Sequence, residues 1–352
     1  MNLDNFEKFG RIDRSNMMEV VLDFPREIAE AVEIGSRLDI PTEYKRFSRI
    51  LIAGMGGSAI PGDFLKALLW DELPVPLVVN RGYTTPRFVD GDTLVFAISY
   101  SGDTEETLAA FRGAREAGAK LITVTSGGQL LQLSKELGIP CLRVPGGRQT
   151  RASFGYLSFP LLTALQRMGV IGDKTKDVEE TIQVVEKMRR ELAPSVATAQ
   201  NAAKALALKL SGKFALIFGT HAHTDVVALR WKQQLNENSK APARYEVFPE
   251  LNHNEIVAWD SPWFMPAQTE AVFLRDERES SRIQKRIEVT REFLGSRGVS
   301  LTEVWSQGNS SLARLISLSY FSNFVSLYLA LLDDVDPTPV EPIAYFKRKL
   351  AS

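Results

Sequence analysis

Short apolar runs alternate with amphipathic stretches along this chain, and the alternation predicts its fold class. Apolar runs of about four to eight residues indicate buried strands, whereas apolar positions three and four apart indicate helices. The predicted strands are residues 49–53, 76–80, 93–98, 120–125 and 140–144, and then 214–218, 243–247, 270–274 and 301–305. Helical patterns separate the strands within each series. We therefore predict an α/β protein with two doubly wound domains, each a mostly parallel sheet flanked by helices.

Longer helical patterns flank and join the two strand series. The predicted organisation is an N-terminal helical segment at 1–40, a first domain at 41–170, a helical linker at 171–210, a second domain at 211–335, and a C-terminal tail and helix at 336–352. The most apolar long stretch, 312–332, also contains Arg314, Asn323 and several serines. Those polar residues favour a buried or interface helix over a membrane span.

Composition excludes several classes of partner. The 352 residues carry a formal net charge of -1, which indicates neither a nucleic acid nor an anionic membrane as partner. Cys141 is the single cysteine, so the chain cannot form an internal disulfide, and a reducing compartment fits. The N-terminus has no apolar core of signal-peptide length. We expect a cytoplasmic protein.

A hydroxyl-rich segment, Ser99-Tyr100-Ser101-Gly102-Asp103-Thr104, follows a predicted strand and precedes a predicted helix. The N-terminus of a helix exposes N–H groups and favours anions. The hydroxyls of Ser99, Ser101 and Thr104 add hydrogen-bond donors. This pattern predicts a phosphate site at the end of a strand. A turn that only caps the helix is the alternative.

A glycine-rich segment, Gly54-Met55-Gly56-Gly57-Ser58-Ala59, follows the first predicted strand. Its spacing also satisfies G-x-G-x-x-A, a dinucleotide fingerprint that expects an acidic residue at the end of the second strand. Asn80-Arg81 stands there instead. One alternative is thus an NADP oxidoreductase in which Arg81 binds the 2′-phosphate of the cofactor. A second is a tight turn with only a structural role. We favour a third interpretation, a sugar-phosphate site.

Three further groups carry possible chemistry. Arg151 follows the last strand of the first series and could stabilise an anion, although most arginines are simply solvated. Glu237 ends a predicted helix among amide side chains, as a carboxylate held for proton transfer would, and a surface glutamate is the alternative. His221, His223 and His253 raise the possibility of a metal site, but His-x-His alone is weak evidence. We expect the two asparagines beside His253 to orient its imidazole, as they would for an acid–base histidine, and a histidine within a loop hydrogen-bond network is the alternative.

Taken together, these segments resemble the bifunctional phosphoglucose/phosphomannose isomerase family of the sugar isomerase (SIS) domain superfamily. The resemblance rests on six segments, in the family's order along nearly the whole chain: GMGGS at 54–58, SYSGDTEET at 99–107, RASFGYL at 151–157, QLNEN at 234–238, ELNHNEI at 250–256 and DPTPV at 336–340. The family motif more often reads Arg-Ala-Ala-Leu-Gly, so Ser153 and Phe154 depart from it mildly.

The resemblance implies a role for each matching residue. Gly56, Gly57 and Ser58 would line the sugar site, and Ser99, Ser101 and Thr104 would bind the phosphate. Arg151 would stabilise an enediolate, while Glu237 would move the proton between C1 and C2. His253, contributed by the partner subunit of a homodimer with shared active sites, would open the sugar ring together with Lys347. Thr338 would be the hydroxyl linked to tolerance of the mannose epimer.

The implied activity is an aldose–ketose isomerase that interconverts glucose 6-phosphate, and mannose 6-phosphate, with fructose 6-phosphate. It needs neither a metal nor a cofactor. A non-catalytic sugar-phosphate sensor is the principal alternative, but such a protein would lose Glu237 or His253. The isomerase half of an aminosugar synthase would need an N-terminal glutaminase cysteine, and the only cysteine here is Cys141.

Overall fold

The computed structural model describes residues 3–5, 9–261 and 265–350. The chain divides into two compact units. One comprises Asp23–Ile182, and we call it the first-sheet unit. The other combines the residues up to Leu22 with those from Gln183 onward, and we call it the second-sheet unit.

The first-sheet unit contains a five-stranded sheet in which all neighbouring strands are parallel. Its strands are β1 (Arg49–Ala53), β2 (Leu77–Asn80), β3 (Thr93–Ile98), β4 (Lys120–Thr125) and β5 (Cys141–Arg143), in the order β2-β1-β3-β4-β5. Every residue of β3 is buried, which explains its continuous apolar run, because a central parallel strand is covered on both faces. The strand order reverses between β1 and β3, so their carboxyl ends form the crevice where ligands of open α/β sheets bind.

The second-sheet unit contains a four-stranded parallel sheet with the same kind of reversal. Its strands are β6 (Phe214–Thr220), β7 (Ala243–Phe248), β8 (Thr269–Arg275) and β9 (Ser300–Trp305), in the order β7-β6-β8-β9. Phe218, Phe248 and Phe273 fill one face of this sheet, with 4.7 Å between the ring centroids of Phe218 and Phe273.

Helices surround both sheets. Those in the described residues are, in chain order, α1 (Phe9–Ile12), α2 (Met17–Leu22), α3 (Phe24–Ser36), α4 (Ile60–Leu68), α5 (Glu105–Glu116), α6 (Gly128–Glu136), α7 (Phe154–Arg167), α8 (Thr175–Leu192), α9 (Ala202–Leu210), α10 (Asp225–Asn238), α11 (Ser281–Ser296), α12 (Ser311–Leu332) and α13 (Glu341–Leu350). α12 is long and apolar enough to cross a membrane, but 94% of its most apolar window is buried inside the protein. It is a core helix that packs against α2, α9 and α10.

The predicted fold class is confirmed, and all nine predicted strands are present with ends shifted by at most two residues. The helical segment between β1 and β2 does not start as an α-helix, because a 3₁₀ turn over Gly56–Ser58 precedes α4. The segment predicted at 1–40 is shared between the units: α2 packs against α12, whereas α3 packs against α7. The domain boundaries proposed from the sequence stay predictions.

Candidate functional site

The glycine-rich segment leaves β1 in a turn that favours glycine for two reasons, close packing at Gly54 and backbone conformation at Gly56. A Cβ on Gly54 would lie 2.7 Å from the Ser58 carbonyl oxygen and 3.1 Å from that of Ile98. Gly56 has a φ of +50°, in the region that favours glycine. Ser58 is the last residue of the turn and is buried, and its Oγ accepts a hydrogen bond of 3.2 Å from the Tyr100 N–H. The ends of β1 and β3 are thereby joined.

The hydroxyl turn after β3 is held together from inside by Ser99. This side chain is fully buried, and its Oγ lies 2.9 Å from Thr104 Oγ1 and accepts a hydrogen bond of 3.1 Å from the Gly102 N–H. Ser101 is exposed, and Thr104 is half-buried directly before α5. Ser99 therefore shapes the turn, while Ser101 and Thr104 stand where a ligand could reach them.

The same turn is locked against the start of α6. Gly102 has a φ of +82°, and a Cβ there would lie 1.8 Å from the Gly127 carbonyl oxygen. The Gly102 carbonyl accepts from the Leu130 N–H at 2.9 Å, and Asp103 Oδ1 accepts from the Gln129 N–H at the same distance. The Asp103 carboxylate thus accepts a hydrogen bond from the first turn of α6, where the helix dipole favours a negative side chain.

Arg151 approaches the glycine turn through its backbone. A Cβ on Gly57 would lie 3.1 Å from Thr150 Cγ2 and 3.4 Å from the Arg151 nitrogen, so glycine permits this close approach. Arg151 is 4% exposed, and its Nη1 lies 3.5 Å from Gln149 Oε1. The structure therefore brings Gly57, Ser58, the hydroxyl turn and Arg151 to one edge of the first sheet.

Two bracing groups near Arg151 were missed by the sequence reasoning. Tyr100 donates its hydroxyl to the Pro145 carbonyl at 3.0 Å and accepts from the Arg148 N–H at 3.2 Å. The Arg148 guanidinium bonds the buried Glu27 at 3.1 Å, and Glu27 also accepts from the Tyr156 N–H at 3.0 Å. Residues on both sides of Arg151 are thus anchored, but their partners lie too far along the chain for a local pattern to indicate them.

Arg148 also pairs with Asp23 at 2.5 Å, and this pairing favours the ionised form of Asp23. Burial raises the pKa of Asp23, but hydrogen bonds from Arg26 and Arg148 outweigh burial, so the pKa of Asp23 lies below its usual range. Burial and a hydrogen bond to Glu30 raise the pKa of Tyr156 well above its usual value, so this phenol stays neutral. The Asp23 carboxylate therefore stays charged beside Arg148, and the Tyr156 hydroxyl stays protonated, over the pH range in which enzymes ordinarily work.

Glu237 lies half-buried in the last turn of α10, in the second-sheet unit. Its backbone carbonyl accepts a hydrogen bond of 2.8 Å from Lys240 Nζ, which also donates to the carbonyls of Asp336 at 3.0 Å and Pro337 at 3.3 Å. Lys240 therefore ties the end of α10 to the segment that carries Thr338. The sequence reasoning missed this lysine, since no motif marks it.

His253 is exposed, in a 3₁₀ turn that follows β7. The flanking asparagines brace this segment: Asn252 Nδ2 donates to Thr290 Oγ1 at 2.9 Å, and Asn254 Nδ2 donates to Glu250 Oε1 at 3.0 Å. Within the described residues, neither amide orients the imidazole itself, contrary to the expectation from the sequence. Lys347 is likewise exposed, on α13.

The histidines do not form a metal site in the part of the chain that the structure describes, where no group of three or more His, Cys, Asp or Glu side chains could hold an ion. His221 Nδ1 lies 3.8 Å from Asp225, and His223 Nε2 lies 3.3 Å from the buried Asp276. Burial raises the pKa of Asp276, but the nearby His223 imidazole, a hydrogen bond of 2.9 Å from the Arg278 N–H and the Arg314 charge outweigh burial and hold this pKa well below its usual range.

The carboxyl edge of the second sheet differs from that of the first. Asp276 follows β8 just as the hydroxyl turn follows β3, yet it accepts hydrogen bonds from Arg314 Nε at 2.8 Å and Ser306 Oγ at 2.9 Å. Arg275 beside it pairs with Glu279 and Glu303. Ion pairs thus fill the position that hydroxyl groups occupy in the first sheet.

Comparison with known proteins supports one family. The model of the SIS domain matches residues 44–136, and that of the bacterial phospho-glucose isomerase C-terminal SIS domain matches residues 199–350. A protein of Caldicellulosiruptor bescii named bifunctional phosphoglucose/phosphomannose isomerase is 42% identical, covering 95% of this chain and 99% of its own. One of the same name from Aquifex aeolicus is 36% identical over 89% of this chain and 93% of its own.

A solved structure of similar fold is that of a hypothetical protein from Thermus thermophilus. Its TM-score is 0.75 at 17% identity, covering 98% of this chain and 94% of that one. At this identity, the likeness establishes the fold alone.

Proposed function

This chain belongs to the bifunctional phosphoglucose/phosphomannose isomerase family, and we propose on this premise that it interconverts glucose 6-phosphate and mannose 6-phosphate with fructose 6-phosphate. It is an isomerase of phosphorylated sugars. The observation that carries the proposal is the edge of the first sheet, where the hydroxyl turn, Ser58 and Arg151 converge. No observation favours the non-catalytic sensor considered above.

In the proposed reaction, the phosphate binds the hydroxyls of Ser101 and Thr104 and the first N–H groups of α5, in a turn that Ser99 keeps in shape. Gly56, Gly57 and Ser58 line the sugar. Because a proton leaves C2 of the aldose and returns to C1 of the ketose, one base is sufficient, and we assign it to Glu237. Arg151 stabilises the enediolate that forms between the two steps.

Ring opening and epimer tolerance complete the proposal. His253 and Lys347 assist proton transfer at the ring oxygen and O1, and Thr338 contacts the part of the sugar at which glucose and mannose differ. The cycle uses neither a metal nor a cofactor, because proton transfer and a fixed cation suffice. We also propose a cytoplasmic location, since Cys141 is the only cysteine.

A direct assay tests the function. The protein is given fructose 6-phosphate after exhaustive chelation, and both aldose phosphates are quantified by NMR. We expect glucose 6-phosphate and mannose 6-phosphate to appear at the rate seen without chelator. Absence of both aldoses would contradict the proposal, and a change in nicotinamide absorbance on addition of NADP would instead support the oxidoreductase alternative.

We further propose a homodimer in which His253 serves the active site of the partner subunit. Within the described residues, no side chain hydrogen-bonds the exposed imidazole. Val257 is 69% exposed and Met265 is 58% exposed, so both leave apolar surface open in the stretch that follows the His253 turn. A partner subunit would cover these side chains and would place its own bound substrate next to His253.

Subunit mixing tests this assembly. Glu237→Gln and His253→Ala chains are each expected to be nearly inactive alone. Random mixing makes half of the dimers mixed, and each mixed dimer has one intact site, so mixing is expected to restore roughly a quarter of parental activity. Sedimentation must show dimers throughout. Failure of the mixed sample to gain activity, despite proven subunit exchange, would contradict sharing of the site.

A further inference from the structure

A row of buried polar side chains joins α10 to α12 inside the second-sheet unit. We call it the α10–α12 ladder, and its members are Arg230, Gln234 and Asn238 of α10 with Ser319, Asn323 and Ser326 of α12. All six are at most 5% exposed. On each helix, the three positions are three or four residues apart and so share one face.

The ladder pairs the two helices at three successive levels. Arg230 Nε donates to Ser319 Oγ at 2.8 Å, and Arg230 Nη2 donates to Asn323 Oδ1 at 3.2 Å. Gln234 Nε2 donates to the same Asn323 oxygen. At the last level, Asn238 Nδ2 donates to Ser326 Oγ at 2.9 Å, and Ser239 Oγ donates to the Ser326 carbonyl at 2.7 Å.

These bonds specify the position of α10 more sharply than apolar packing does. Apolar contacts tolerate small shifts, whereas a buried polar group that loses its partner carries the full cost of its desolvation. Sliding or rotating α10 against α12 would break all three levels together. The ladder therefore holds the last two turns of α10 in one register.

Glu237 lies within the part of α10 that the ladder holds. It comes three residues after Gln234 and directly before Asn238. On a helix, the position three residues after Gln234 is a neighbour on the surface. The ladder thus fixes the backbone from which the Glu237 carboxylate projects, and Lys240 fixes the carbonyl at the same residue.

We propose that Asn323 and Ser326 are positioning residues for Glu237, an inference that rests on the proposed role of Glu237 as the base. Neither residue is assigned contact with substrate. Proton transfer between adjacent carbons requires a carboxylate placed accurately over both, and a misplacement of about 1 Å can cost on the order of 10²-fold in rate. α12 would act on catalysis through α10.

The test begins with Asn323→Ala, which removes the acceptor shared by Arg230 and Gln234. We expect kcat to fall about 10- to 100-fold, with KM for fructose 6-phosphate changed less than about threefold. Asn323→Asp keeps an oxygen acceptor and is expected to retain most of kcat. Ser322→Ala is the matched control, because Ser322 is also buried on α12 but its hydroxyl donates to the Ser319 carbonyl of its own helix, at 2.6 Å.

A double-mutant cycle separates positioning from general damage. If Asn323 acts through Glu237, then Asn323→Ala should lower kcat little further in a Glu237→Gln background. An equal loss in both backgrounds, or a loss equal to that of Ser322→Ala, would overturn the proposal. Should Asn323→Ala fail to fold, Ser326→Ala replaces it in the same cycle with the same criteria.

The cycle also keeps the two proposals apart. A folded Glu237→Gln enzyme with parental kcat would overturn the assignment of the base, and with it the inference. A nearly inactive Glu237→Gln enzyme beside a fully active Asn323→Ala enzyme would overturn only the role of the ladder.

Discussion

Glu237→Gln is expected to lower kcat on the order of 10²- to 10⁴-fold, the range for loss of a positioned general base. Glutamine keeps the size of the side chain and its hydrogen-bonding capacity but cannot accept the proton from C2. Substrate binding should persist, because the phosphate contacts assigned to Ser101 and Thr104 are unaffected. The variant should therefore bind fructose 6-phosphate with near-parental affinity and turn it over very slowly.

Isotope exchange makes this prediction specific to proton transfer. In deuterated solvent, the parent should exchange the C2 proton of glucose 6-phosphate, and Glu237→Gln should not. Glu288→Gln is the matched control, since it removes the same charge from an exposed position on α11 and should leave both rates unchanged. If folded Glu237→Gln isomerises at close to the parental rate, another residue is the base.

Replacing Ser99, Ser101 and Thr104 together with alanine is expected to raise KM for fructose 6-phosphate on the order of 10²-fold or more. A hydrogen bond to a charged group contributes about 1.5–3 kcal/mol, and the triple variant removes two direct donors and the residue that shapes their turn. kcat should fall less than KM rises, because the phosphate is bound in the ground state and transition state alike. Initial-rate kinetics measure both constants.

Single variants separate the roles within the turn. Ser101→Ala should raise KM without changing the melting temperature, since Ser101 is exposed. Ser99→Ala should raise KM and lower the melting temperature, because the buried Ser99 hydroxyl holds the turn. Ser306→Ala, which removes a hydroxyl from the edge of the second sheet, is the control for KM. Parental KM in the folded triple variant would refute the assignment of the phosphate site.

The local sequence was sufficient to predict the strands and most helices. A buried strand such as β3 is marked by a continuous apolar run, and α12 by an apolar stretch with a few polar positions. The hydroxyl turn could be found because Ser99, Ser101 and Thr104 lie within six consecutive residues between a strand and a helix. The 3₁₀ turn before α4 escaped prediction, since it depends on the close approach of Ser58 to Gly54.

The hydrogen-bond partners of the residues around each candidate site residue could not be predicted from the local sequence. The asparagines beside His253 suggested that they orient the imidazole, but their amides bond Thr290 and Glu250. Likewise, the amides around Glu237 suggested a held carboxylate, and the structure adds that Gln234 and Asn238 bond α12. A motif identifies which polar residues stand together, whereas the direction of each side chain depends on what packs against it.

The sequence by itself determined the two α/β units, the order of their elements and the segments that carry the chemistry, because hydrophobic periodicity and turn composition act over a few neighbouring residues. Only the tertiary structure decided which distant residues support those segments: Glu27 and Tyr100 against the residues on either side of Arg151, Asn323 and Ser326 against α10, and ion pairs at the edge of the second sheet. These partners are far apart along the chain, and it is the packing of strands and helices that brings their polar groups within hydrogen-bonding distance.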